Sequence, residues 1–179
     1  MACLRKLNSD ITFDCANFVL TGGTGEIDEA IVINSSDIST ISESAGVGTI
    51  TMLTGKRGFV VNSVNNSVMY QEAIKINDTV PAAEEHSVVI KAMSSMDSTA
   101  YRLALTSLLK GNFRVALKSK SGNYYLAGAF CGLEASDMAT DSSNGGISTV
   151  TLKTPEASTG DMLVTITKAA YDGLKIPKV

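Results

Sequence analysis

Gly122-Asn123-Tyr124-Tyr125-Leu126-Ala127-Gly128-Ala129-Phe130-Cys131-Gly132-Leu133 is the stretch that decides the fold. Ser121-Gly122-Asn123 tolerates positive φ, and the aromatic and small apolar run behind it reads as the return strand of a tight hairpin. Just upstream, Ala100, Leu103, Ala104, Leu108 and Leu109 recur at helical spacing. Asp97 or Ser98 can cap that helix, Lys110 suits its end, and Gly111 stands where a left-handed C-cap belongs. One amphipathic helix is therefore predicted over residues 97–110. Downstream, Thr149-Val150-Thr151-Leu152 alternates hydroxyl and apolar side chains, as a half-buried strand does. Residues 101–152 thus build structure and display no evident chemistry.

Outward from this block the dominant period is two. Strands are predicted over residues 26–33, 48–53, 58–64, 68–76, 87–93, 112–118, 123–130, 146–153 and 162–167. The turn signals Gly55-Lys56-Arg57-Gly58, Asn65-Asn66-Ser67 and Asn144-Gly145-Gly146 separate them. With 179 residues the chain suits one domain, 1–179. The expected fold is mainly β: a β-sandwich or barrel of about nine strands with one flanking α-helix.

Two segments fit no regular element. Residues 1–25 end in Thr21-Gly22-Gly23-Thr24-Gly25, a flexible joint, and read as an N-terminal arm. Residues 34–47 are polar but punctuated by Ile38 and Ile41, which suit a loop covered by another molecule and read as an interface loop.

Charged residues are 18% of the chain and Trp is missing, so Ser, Thr, Asn and Gly carry much of the surface. The net charge of −3 gives no general reason to bind a polyanion. Its distribution is uneven: residues 1–90 hold five Lys/Arg against eleven Asp/Glu, and residues 91–179 hold ten against seven. Copies stacked head to tail would place unlike charge across each contact; scattered solvated charge explains the same counts.

Cys3, Cys15 and Cys131 are odd in number and widely spaced, which argues against a disulfide framework or a zinc site. The basic N-terminus has no apolar run of signal-peptide length behind it, and no segment has the 18 apolar residues of a membrane span. The reading is a chain made in the cytoplasm, so the sequons at Asn34, Asn65 and Asn77 are turn chemistry.

The sequence holds no recognisable catalytic pattern. Gly22-Gly23-Thr24-Gly25 is followed by neither Lys-Ser/Thr nor a helix, and Ile50 stands where a phosphate loop ending at Gly55-Lys56 needs glycine. A Ser or Cys nucleophile has only His86, the single histidine, to activate it. The same scarcity argues against a metal site, and Asp137, Asp141 and Asn144 lack the closing Glu of a calcium loop. Lys110 to Lys120 with Phe113, Tyr124 and Tyr125 is a weak nucleic-acid pattern and reads more simply as a solvated hairpin face. No catalytic, cofactor or metal residue is assigned.

The order of elements carries a resemblance: strands, one helix ending at Gly111, the 122–128 hairpin running to Gly132-Leu133, the polar Asp141 to Gly146 turn, and the Ser148-Thr149-Val150-Thr151-Leu152 strand. It resembles the tail tube proteins of tailed bacteriophages and related neck or tail ring subunits, most strongly over residues 100–153. The resemblance implies a virion structural protein, not an enzyme, whose copies form rings stacked as a tube for DNA. Homo-oligomerisation, contacts with other tail or neck proteins, non-specific passage of DNA through the lumen, and location in the virion tail follow from it. Ile38, Ile41, Tyr124, Tyr125 and Phe130 are then the expected subunit-interface residues, and residues 168–179 a C-terminal arm. The N-terminal Gly-rich joint departs from this pattern and suits a connector or head-decoration protein. Two other classes stay open: a carbohydrate-binding or adhesin β-sandwich, which needs exposed aromatics on one face, and a small hydrolase with two converging carboxylates.

Overall fold

Five successive residues, Ala30 to Asn34, are buried in the first strand, β1 (Ile27–Asn34), so this strand is covered on both faces and not on one. Its antiparallel partner β7 (Asn112–Ser119) is covered the same way, with Ile31 opposite Ala116 and Val32 opposite Val115. Ala30 and Val32 join Phe113, Val115 and Leu117 in one core, whereas Ile31, Ile33 and Ala116 face a second. The rest of the chain wraps this two-faced pair.

The computed structural model describes residues 27–62, 67–77, 80–92, 99–141, 147–156 and 161–178. Besides β1 and β7 these contain β2 (Ile38–Ser44), β3 (Val47–Met52), β4 (Phe59–Asn62), β5 (Val68–Asn77), β6 (Val80–Ala92), β8 (Tyr124–Ala127), β9 (Leu133–Asp141), β10 (Ile147–Lys153) and β11 (Val164–Ile166). The helices are α1 (Thr99–Leu108) and α2 (Lys168–Gly173). Hydrogen bonding orders the strands β2-β3-β11-β8-β7-β9-β10-β6-β5, with β1 joining β7 to β4. Only β11 with β3 is parallel among these pairings.

The protein is therefore mainly β, as expected, and its described residues form eleven strands, two helices and an open sheet that does not close into a barrel. The second edge of β7 is shared: Val115 to Lys118 pair with β8, and Asn112 and Phe113 pair with β9. The chain leaves the sheet between β8 and β9 in a turn at Gly128 (φ 70°) and Gly132 (φ 75°), where a left-handed backbone favours glycine. A side chain at position 132 would also run into the Asn112 amide.

The first core is closed by Val88 and Ile90 of β6, Val150 and Leu152 of β10, and Ala104, Leu105 and Leu108 of α1. The buried stripe of α1 is thus rotated from the expected one, since Leu103 and Leu109 are exposed. The second core is closed by Ile50 and Met52 of β3, Val164 and Ile166 of β11, and Tyr171 and Leu174 of the C-terminal segment. Burying such side chains contributes roughly 1.5–3 kcal/mol each.

Residues 168–179 were expected to form an arm; through residue 178 they dock on the sheet. Thr167 caps α2 by accepting from the Ala170 amide at 3.1 Å. The buried Tyr171 hydroxyl donates to Glu29 Oε1 at 3.0 Å, and Lys175 Nζ meets the same oxygen at 2.5 Å. The 1–25 arm lies outside the described residues.

Candidate assembly surface

Ile38 and Ile41 do not lie in an irregular loop. Ser35–Asp37 is a single 3-10 turn, and residues 38–44 are strand β2, paired with β3 through Ile38 opposite Met52 and Ile41 opposite Ile50. A register shift between Ile38 and Thr40 makes Ser39 the extra residue of a bulge, so two isoleucines three apart share one face. Both pack on the second core. Expected as side chains of a covered loop, they are part of the fold's own packing, because the bulge turns both toward Ile50 and Met52.

The hairpin residues separate by face. Tyr124 packs on the second core, its ring 5.0 Å from that of Tyr171, and Tyr125 packs on the first. Phe130 falls outside the strand predicted for it, in the turn between β8 and β9, and is 52% exposed. The structure thus gathers Ile38, Ile41 and Tyr124 on one core, sends Tyr125 to the other, and leaves Phe130 on the surface.

That surface turn is firmly held. The buried Asp161 carboxylate accepts from the Phe130 amide at 3.2 Å and the Cys131 amide at 3.1 Å. Arg114 donates to the Phe130 carbonyl at 3.2 Å and to Asn112 Oδ1 at 2.6 Å, and also reaches Ser35 Oγ. Burial lowers the proton affinity of Arg114, while Asp161 and Cys131 act in the opposite direction. Asp161 escaped the sequence reading because its partners lie about 30 residues away.

The two ends of the strand path are edges. β2 offers seven residues, of which Ser39, Thr40, Ser42, Glu43 and Ser44 are exposed, and β5 offers ten. Among the described residues neither outer edge has a partner strand. Between β3 and α2 lies an open groove of about 390 Å³ lined by Ile50, Met52, Ala170, Leu174, Ile176 and Pro177. Exposed Val47 opens β3 and exposed Leu53 follows it, and Ile176 is 66% exposed.

Asp137 and Asp141, weighed as calcium-loop residues, lie in β9, and the 142–146 turn lies outside the described residues. No helix among the described residues is long and apolar enough to cross a membrane. No family model, curated protein or solved structure matches the chain.

Proposed function

We propose that this protein is a non-enzymatic virion structural subunit whose copies form rings that stack as the DNA-conducting tail tube of a tailed bacteriophage. The observation that carries this reading is that β2 and β5 end one strand path at opposite sides and, among the described residues, take no further partner strand. Long edges invite pairing with another chain, and repeated contact between two different edges closes a ring when the rotation allows. Each copy would add β2 to the β5 edge of its neighbour. The groove beside β3 offers apolar area next to that seam.

The carbohydrate-binding alternative needs an aromatic platform. Among the aromatic side chains whose burial is described, Phe130 is the single strongly exposed one, which favours assembly over sugar stacking.

Negative-stain electron microscopy and sedimentation velocity of the purified chain and of Thr40→Lys/Ser42→Lys test the proposal. Both substitutions fall on exposed β2 positions, so the fold should survive while charge blocks edge pairing. Rings or tubes from the wild type, and monomers of unchanged melting temperature from the double variant, are expected. A wild type that stays monomeric at high concentration, or a double variant that still forms rings, rejects the edge-to-edge assembly.

A further inference from the structure

β5 and β6 pair with Glu72 directly opposite His86, Tyr70 opposite Val88 and Ile74 opposite Glu84. Opposite and i±2 positions share a face of an antiparallel pair, so Tyr70, Glu72, Glu84 and His86 project together. One ligand atom each from Glu72, Glu84 and His86 lies within 4.8 Å of the others.

His86 is fully buried and fixed at both ring nitrogens. Nε2 is 2.6 Å from the Asp161 carbonyl, which can only accept, so in the neutral ring the proton sits on Nε2. Nδ1 then turns its lone pair toward the Tyr70 hydroxyl at 2.9 Å, on the side of the two glutamates. The backbone is pinned as well: the His86 amide donates to Thr154 Oγ1 at 2.9 Å, and the Thr154 amide donates to the His86 carbonyl at 3.0 Å. A backbone carbonyl on the far nitrogen is the usual means of orienting a metal-binding imidazole.

His86 Nδ1 and the Glu72 and Glu84 carboxylates are three acceptors gathered around one point. Among the described residues no ion pair reaches Glu72 or Glu84. A cation at the centre would satisfy all three acceptors at once.

We propose that Glu72, Glu84 and His86 Nδ1 bind one divalent cation of the zinc class, clipping the edge strand β5 to β6. One imidazole nitrogen with two carboxylates favours zinc or a similar transition ion over calcium and magnesium, which prefer all-oxygen shells. Bonds of about 2.0–2.1 Å place tetrahedral ligands about 3.4 Å apart, so a small inward movement of the exposed Glu72 completes the site. The ion takes the place on Nδ1 that the Tyr70 hydroxyl occupies at 2.9 Å, so the Tyr70 side chain turns aside on binding, and a fourth position stays open to water. This site does not depend on whether the copies form rings.

Calorimetric titration of Zn²⁺ into the untagged full chain, with Cys3, Cys15 and Cys131 replaced by Ser, tests it. One ion per chain is expected, with a rise in melting temperature on binding. Glu72→Gln and Glu84→Gln should each weaken binding by about tenfold or more and abolish the thermal shift, while their metal-free melting temperatures stay close to the parent's. Tyr70→Phe, which frees Nδ1, should bind no more weakly than the parent, and Ca²⁺ should give no binding heat. Absence of zinc binding by the parent, or unchanged affinity in both Gln variants, overturns the assignment.

Discussion

Tyr171→Ala removes the side chain that seats α2 on the second core. Tyr171 is fully buried, its ring tilted 48° against that of Tyr124 at 5.0 Å, with Lys175 Nζ 5.1 Å from its ring centroid. An aromatic of this size buries about 150–250 Å², and truncating one in a core costs about 3–5 kcal/mol. Tyr171→Phe keeps the ring and loses only the 3.0 Å bond to Glu29. Glu29 retains Lys175, so that loss should be about 1 kcal/mol. Urea unfolding followed by circular dichroism measures both, and tryptic cleavage after Lys168 and Lys175 reports release of α2. Burial first, then Glu29, raises the proton affinity of the Tyr171 hydroxyl well above its ordinary range. An unfolded tyrosine titrates near pH 10, so above that pH the unfolded chain loses a proton that the folded chain keeps. Stability from this group is complete below about pH 10 and falls above it, by up to about 1.4 kcal/mol per pH unit. Tyr70, raised for the same first reason, adds a limb of the same sign. Tyr171→Phe should make the alkaline decline shallower. A Tyr171→Ala variant within about 1 kcal/mol of the wild type, or identical alkaline declines for Tyr171→Phe and wild type, would refute this docking.

Two further perturbations test the turns that frame the surface. Ala45 sits at φ 52° in the β2–β3 turn, a conformation costing a non-glycine residue about 1 kcal/mol, so Ala45→Gly should raise the urea midpoint by an amount equivalent to roughly 0.5–1 kcal/mol. An unchanged or lower midpoint contradicts a strained turn. Asp161→Ala strips the acceptor from the Phe130 and Cys131 amides and should cost about 1–3 kcal/mol. In a Cys3→Ser/Cys15→Ser background it should also speed the reaction of the Cys131 thiol with a disulfide reagent; equal rates would mean that Asp161 does not hold the turn.

Patterning alone determined the mainly β class, the α1 segment and the positions of nine strands, because one covered face imposes a period of two and a helix imposes 3.6. Both missed strands, β2 and β9, have a bulge. Ser39 separates Ile38 from Ile41, and Ser136 separates Ala135 from Met138, so their inward residues stand three apart. A period of three matches no strand template, and only the pairing partner shows which residue is extra. The short α2 has too few residues to display a helical period and is set by the socket for Tyr171 between β1 and β8. Two-sided burial of β1 was legible as Ala30-Ile31-Val32-Ile33, but which core each side chain entered was not.

The same division governs the sites. Sequence could mark Ile38, Ile41, Tyr124, Tyr125 and Phe130 as apolar residues that needed cover, and it could count a single histidine. Tertiary structure decided that four of the five are covered by the chain itself, and that His86 stands opposite Glu72 with Asp161 behind it. The physical reason is register: Glu72 and His86 are 14 positions apart, and a one-residue slip of β5 against β6 would send one of them to the opposite face.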